Sequence, residues 1–273
     1  MDLDPSGWLH LLTRWFHVVV GVLWIGQTAL FGWMDRNLEP LPEGERDERV
    51  EGRLWMIHSG GFYKVEKQRL VPEALPGTLH WFKWEAALTW LSGVLLLTLV
   101  YYLGSALVEI GSSVTPTTAL LVGLGTLAGG WFAYDALWIS PLARHERLAT
   151  AVSFALVVVV AWGLTRVLSG RAAYIHVGAL FGTIMAANVW MRILPAQHQL
   201  VAATATGSPA DATLAARAKQ RSKHNTFLAF PLLFLMISSH FPTQSYGHRW
   251  SWAILAGFVL LGWAARKLMM TSR

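Results

Sequence analysis

The segment Leu54–Glu85, LWMIHSGGFYKVEKQRLVPEALPGTLHWFKWE, sets His58, Lys64, Glu66, Lys67, His80, Lys83 and Glu85 among Gly and aromatic residues, between long apolar runs. Imidazoles and carboxylates are the side chains that move protons near neutral pH, so His58, His80 and Glu85 are candidate bases or acids, joined by His224 from AKQRSKHNTF. Lys67 and Lys83, with Gln220, Arg221 and Asn225 from that second segment, add cations and amides. Such a set suits a planar, oxygen-rich anion, with Trp or Phe to stack on its faces. Asp135 and, on the face of one helical span, Trp81, Glu85, Thr89 and Ser92 belong to the same side. The plain alternative is a solvated loop whose aromatics belt a membrane boundary and whose Lys83 and Arg221 are boundary anchors.

A second set is made of histidines alone. At about 100° per residue, His10, His17, Gly21, Trp24 and Thr28 share one helical face, and His176 shares one with Ala179, Thr183 and Ala187. Each pattern places a ligand-type residue beside small side chains, where a flat porphyrin can approach. His17, His176 and His240 are therefore candidate ligands of haem b iron. Helix packing uses the same small faces, and an intramembrane His can simply hydrogen-bond a neighbouring helix.

The elements that must position these groups are membrane helices. Of 273 residues, 54% are hydrophobic and 14% charged, and mean hydropathy is +0.41. A soluble domain carries roughly a quarter charged residues, so this composition belongs to a membrane protein. Windows of about twenty apolar residues predict seven spans, near Trp8–Met34, Lys83–Leu103, Thr117–Ile139, Leu148–Leu168, Ala172–Leu194, Thr226–Phe241 and Trp250–Leu268. The sixth is short and carries Pro231, so it is expected to kink or to begin in the polar helix before it. The fold class is all-α, a polytopic membrane bundle forming a single integral domain over residues 1–273.

Lys and Arg counts set the orientation. Arg36, Arg46, Arg49, Arg53, Lys64, Lys67 and Arg69 fall in one connection and Arg217, Lys219, Arg221 and Lys223 in another, whereas the connection Gly104–Pro116 has no cation. The basic connections are expected in the cytoplasm, placing the amino terminus outside and the carboxyl terminus inside a bacterial inner membrane. The net charge of +6 thus reads as topology and not as nucleic-acid binding. Leu38–Arg53, with alternating charges, reads as a solvated helix, and Ala202–Ala218 as a mobile connection followed by a polar helix. No Cys occurs, which excludes disulfides, iron–sulfur clusters, thiolate-bound zinc and covalent haem c attachment.

HSGGFYKVEK, LHWFKWEAALTWLSG, SGRAAYIHVGALFGTIMAANVWMRILPAQ, AKQRSKHNTF and LFLMISSHFP, in that order, resemble the membrane domain of the PuuD-type urate hydroxylases, the cytochrome c-coupled urate oxidases. The resemblance implies oxidation of urate to 5-hydroxyisourate, with electrons passed to a cytochrome c. Family members continue into an eighth span and a cytochrome c domain. This sequence, ending at Arg273 without Cys, is expected to use a separate cytochrome c. Two other readings stand beside it: a haem b electron-transfer protein acting on a quinol or another reductant, and a transporter or anchor subunit without redox work.

Overall fold

The computed structural model describes residues 4–45, 47–209 and 211–271. Arg46 and Arg273 lie outside the described residues. Helix α1 (Pro5–Asn37) opens with Asp4 accepting from the Gly7 N–H at 3.0 Å and Pro5 in the first turn, where its missing N–H costs nothing. Helices α2 (Trp84–Leu97), α3 (Pro116–Ile139), α4 (Glu146–Val167) and α5 (Gly170–Asn188) follow. The set is completed by α6 (Leu194–Ala205), α7 (Ala212–Ile237) and α8 (Ser251–Thr271). Thr115 and Ser169 cap α3 and α5 through their hydroxyls. Two π turns, Thr98–Tyr102 and Val189–Ile193, extend α2 and join α5 to α6 into one rod from Gly170 to Ala205.

Six described segments are long and apolar enough to cross a membrane: Pro5–Asn37, Trp84–Tyr102, Pro116–Ile139, Glu146–Val167, Gly170–Ala205 and Ser251–Met269. The seventh expected span, Thr226–Phe241, is the apolar end of α7. That helix starts fourteen residues earlier, at Ala212, in the polar run, and carries Pro231 in its interior. Gly262 of α8 lies where a Cβ would come within 2.8 Å of Pro231 Cδ, so α8 closes directly on the proline ring. α7 is central: it packs against α5 and α8, and Leu235, Leu255, Val259, Phe181, Tyr174 and Val177 form the most buried part of the core.

One region departs from the all-α expectation. Leu38–Arg53 is not a helix: a 3₁₀ turn at Glu43–Glu45 leads into β1 (Val50–His58), which pairs antiparallel with β2 (Gly61–Gln68). His58 pairs with Gly61, leaving Ser59 (φ 51°) and Gly60 (φ 78°) as a two-residue turn with both residues left-handed. A twisted hairpin demands that turn, and Gly at the second position accepts it without strain. The charges of the hairpin are paired: Arg53 with Glu66 across the strands (2.8 Å) and with Glu45 of the preceding 3₁₀ turn (2.6 Å), and Arg69, just after β2, with Glu51 of β1 (3.0 Å). Sequence pattern reads charge alternation as a solvated helix, but cross-strand pairing uses the same alternation.

Candidate functional site

The polar groups inside the bundle gather where α3, α5 and α7 cross. Asp135 of α3 accepts from Arg221 of α7 at 2.9 Å and from Arg192 Nε of the π turn at 2.9 Å, and Arg192 Nη2 also meets its Oδ2. Arg221 is 3% exposed and Asp135 7%, and the Arg192 side chain keeps 40% of its surface open. Burying an unpaired guanidinium is prohibitive, so Asp135 is what allows Arg221 to sit here. One carboxylate faces two guanidinium groups, which leaves the cluster one positive charge in excess.

The amides around this cluster have a fixed polarity. Asn225 Nδ2 donates to the Met185 carbonyl at 2.9 Å, so its Oδ1 faces Asn188 and accepts from Asn188 Nδ2 at 2.9 Å. Arg221 Nη1, which can only donate, lies 3.4 Å from Asn188 Oδ1 and agrees with that orientation. Asn188 Nδ2 then donates its second proton to Tyr134 Oη at 3.1 Å. The Tyr134 hydroxyl also stands 2.8 Å from His224 Nδ1. Donating its own proton there gives the hydroxyl a use for its one donor, and the His224 tautomer that matches this is the one with its proton on Nε2. Trp138 packs against the His224 ring at 4.1 Å between centroids, and Arg221 lies 4.9 Å above the Tyr134 ring.

Beyond His224 opens a cavity of about 560 Å³ between α3, α4, α5, α7 and α8. Tyr134, Trp138 and His224 line it on the network side, and Leu156, Val157, Val160, Leu180 and Ile184 make an apolar wall. Glu146 and Lys223, 3.4 Å apart, line it together with Lys267. Trp263 is also in the wall, and its indole N–H is buried without a partner.

Of the residues expected at a polar site, the fold brings together Arg221, His224 and Asn225, with half-buried Gln220 one position before Arg221. Asn225 spends its amide on Asn188 and Met185, so it positions the network. Glu85 and Lys83 stand at the start of α2. Glu85 Oε1 accepts from Gln27 at 3.1 Å, its Oε2 is buried without a partner, and Lys83 lies over Trp84 and Trp190. Trp81 stacks on His198 at 4.3 Å. His80 is exposed in the irregular stretch before α2, and His58 is exposed at the hairpin turn. Lys67 belongs to the hairpin base, 2.5 Å from Asp35. Tyr134, Asn188, Arg192 and His198 were not singled out from sequence, although Asn188 and Arg192 interrupt an apolar run, which is the signal that marks them.

The three histidines expected to hold haem are placed apart. His176 is fully buried, with Nδ1 on the Ala172 carbonyl (2.7 Å) and Nε2 beside the Tyr102 hydroxyl (3.1 Å). A Cβ on Gly123 would come within 2.8 Å of that Nε2, so α3 occupies the space an iron would need. His17 bonds Ser92 at 2.9 Å and packs on Gly93. His17 and His176 therefore meet α2 nine to ten residues apart, about 14 Å along the axis. Two axial imidazoles on one iron stand about 4 Å apart, twice a metal–nitrogen bond of about 2 Å. His240 is exposed in the 3₁₀ turn Ser238–His240. Among the described residues no group of three or more metal-ligating side chains occurs. The donors as placed do not fit a porphyrin held between them, and the small faces serve packing instead. Gly21 faces Thr89, and Thr183 accepts from Trp90 at 3.1 Å.

A bundle with six described segments long enough to cross a membrane, and with a charged hydrogen-bond network buried among α3, α5 and α7 beside a largely apolar cavity, has the features of a polytopic membrane protein. The Urate oxidase N-terminal family model matches residues 5–273, and the chain belongs to that family, the membrane domain of PuuD-type urate hydroxylases. No curated protein and no solved structure matches it.

Proposed function

We propose that this chain oxidises urate to 5-hydroxyisourate in the bacterial inner membrane and that the electrons pass ultimately to a separate cytochrome c. The family supports a urate-related oxidoreductase. The observation that carries the site is the excess positive charge of Asp135–Arg192–Arg221, since urate is an anion near neutral pH and a half-open guanidinium is what would hold it. Arg192 is the contact residue, because Arg221 is already spent on Asp135, Asn188 and the Tyr134 ring. Gln220 lies on the same end of α7, where an amide suits a purine edge.

The reaction needs two electrons and two protons removed from urate as water adds its hydroxyl at C5. Fixed cations lower the energy of the developing anion. The test is urate-dependent reduction of added cytochrome c by membranes carrying Arg192→Gln. Loss of one charge-assisted contact should raise KM by about ten- to a hundred-fold, with a smaller effect on kcat, and Arg192→Lys should recover part of it. An Arg192→Gln variant with normal expression and unchanged KM would remove the cluster as the urate site.

A further inference from the structure

We propose that the cavity between α3, α4, α5, α7 and α8 binds a lipophilic quinone and that this quinone is the first acceptor of the electrons. The accepting role rests on the urate reading above; the binding site stands without it.

Three features of the cavity select this ligand class. Its volume of about 560 Å³ and its Leu, Val and Ile wall suit an apolar molecule longer than a purine. Urate carries donors and acceptors around its whole perimeter, and the wall would leave most of them unpaired, at a cost of about a hundred-fold or less in affinity for each. At the network side the cavity presents a directed donor. The amide orientation of Asn225 fixes Asn188, Asn188 donates to Tyr134, and Tyr134, donating to Nδ1, matches a His224 proton on Nε2. Nε2 has no described protein partner, and it is not among the sealed, unpaired atoms. A quinone offers what this arrangement lacks: a carbonyl acceptor on a flat ring, with Trp138 beside it, and a hydrocarbon tail for the rest of the space. Gly129 leaves the α3 side of the cavity open, whereas Leu180 packs directly on Gly130.

The chemistry balances. Urate gains hydroxyl from water at C5 and gives up two electrons and two protons. The quinone takes two electrons and two protons, its two C=O bonds becoming C–OH, so that urate, water and quinone yield 5-hydroxyisourate and quinol. His224 Nε2 gives one proton to the reduced oxygen as Nδ1 takes the Tyr134 proton; the tyrosinate so formed, beside the Arg221 guanidinium, is reprotonated by one of the two protons that urate releases, and the other goes to the second quinone oxygen. Arg221 bonds both Asp135 and Asn188, and Asn188 bonds Tyr134, so the anion cluster and the quinone end share one hydrogen-bond network. Cytochrome c is then reduced downstream by reoxidation of the quinol.

The experiment titrates decylubiquinone into the purified chain in phosphatidylcholine nanodiscs, read by tryptophan fluorescence quenching, with thermal unfolding as a check on folding. A Cβ on Gly129 would meet nothing within 4 Å, so Gly129→Phe starts from open space on the cavity wall and is used to fill it. Leu156→Trp fills it from the opposite wall. Saturable binding is expected for the native chain, at least ten-fold weaker in both filled variants, and about five- to a hundred-fold weaker in His224→Phe. No saturable quenching, or filled variants that bind like the native chain, overturns the proposal. Retention of phospholipid alone, not displaced by decylubiquinone, does the same. Tight decylubiquinone binding with no urate-dependent reduction of it overturns the accepting role and leaves the site standing, and if cytochrome c is not reduced by urate either, the urate reading falls with it. Full-rate reduction of cytochrome c by urate in quinone-free nanodiscs overturns the accepting role.

Discussion

Asn225 illustrates how one buried amide acts on the imidazole beside it in sequence, His224, by way of two other side chains. It is 4% exposed and touches neither His224 nor Tyr134 in any described hydrogen bond, yet its two bonds set which way Asn188 must face. Replacing it with Ala removes the acceptor for Asn188 Nδ2 and the donor for the Met185 carbonyl. Both remaining groups are buried, so stability should fall by about 1–3 kcal/mol. Asn188 is then held in its orientation only by the long Arg221 bond (3.4 Å), and where it turns Oδ1 toward Tyr134 the hydroxyl would donate to it and accept from His224 Nδ1. The imidazole would lose its Nε2 proton toward the cavity. Asn225→Ala should therefore weaken decylubiquinone binding as well as lower the unfolding midpoint. Asn225→Asp, which keeps the acceptor and forfeits the donor to Met185, should retain most of the binding. Equal binding losses in both variants would show that the effect is structural collapse and not a change of tautomer.

At the scale of elements, the hairpin is held at its base by ions more than by apolar contact. Lys64 first, then Arg53, holds the exposed Glu66 carboxyl down at about 2, well below its ordinary value of 4.5. Because the folded value is depressed, the stabilisation is fully present above about pH 4.5 and is lost as pH falls toward 2. Amide exchange across Val50–Gln68, corrected for intrinsic rate, should accelerate over that window and should rise with salt. Glu66→Gln should flatten the pH dependence while leaving helix exchange unchanged; a profile identical to the native chain would show that Glu66 is not the group responsible.

The hairpin is also where sequence reading failed most. Burial along β1 alternates, with Gly52, Leu54 and Met56 turned inward, but Trp55 and Ile57 (70% exposed) on its other face and Phe62 (77%) of β2 are apolar too, so the sequence shows no polar–apolar alternation to betray a strand. The His58–Gly61 turn was visible as HSGG, but the same residues read equally as a catalytic loop. The spans were legible because twenty apolar residues have few other uses. The start of α7 was legible too, since Pro231 shortens its apolar end and the polar run before it carries helix formers. The network was half legible. Arg221, His224 and Asn225 stood out in a basic run, but Asn188 and Arg192 lay inside a motif that was read only for its histidine. Which polar residues meet across α3, α5 and α7 depends on crossing geometry, which no single helix encodes. The same limit applied to His17 and His176: each face pattern was real, yet helix α2 runs between them.

For the whole molecule, the cluster and cavity gain a direction once the bundle is oriented. Asp135 and Trp138 lie near the end of α3, Glu146 opens α4, Arg192 ends the rod's π turn, and His224 precedes the apolar half of α7. All belong to one end of the bundle, the end that carries the basic connections Arg36–His80 and Pro195–Asn225. Positive connections stay in the cytoplasm, so urate should enter from that side. The opposite connection, Gly104–Thr115, holds no Lys or Arg and turns at Gly111, φ 81°. A periplasm-active reporter inserted between Gly111 and Ser112 should be active, and one inserted at Gly207–Ser208, in the turn between α6 and α7, should be silent. A cytoplasm-active reporter should show the reverse at the same two sites. Both turns are exposed and outside helices, so insertion leaves the packed segments intact. The reverse pattern would put the Arg192 cluster on the outer face, where urate would reach it without crossing the membrane and where no cytoplasmic supply is needed. Identical readings at both sites would mean that the connections do not alternate, and α7, the helix with the shortest apolar run, would be the one that fails to cross.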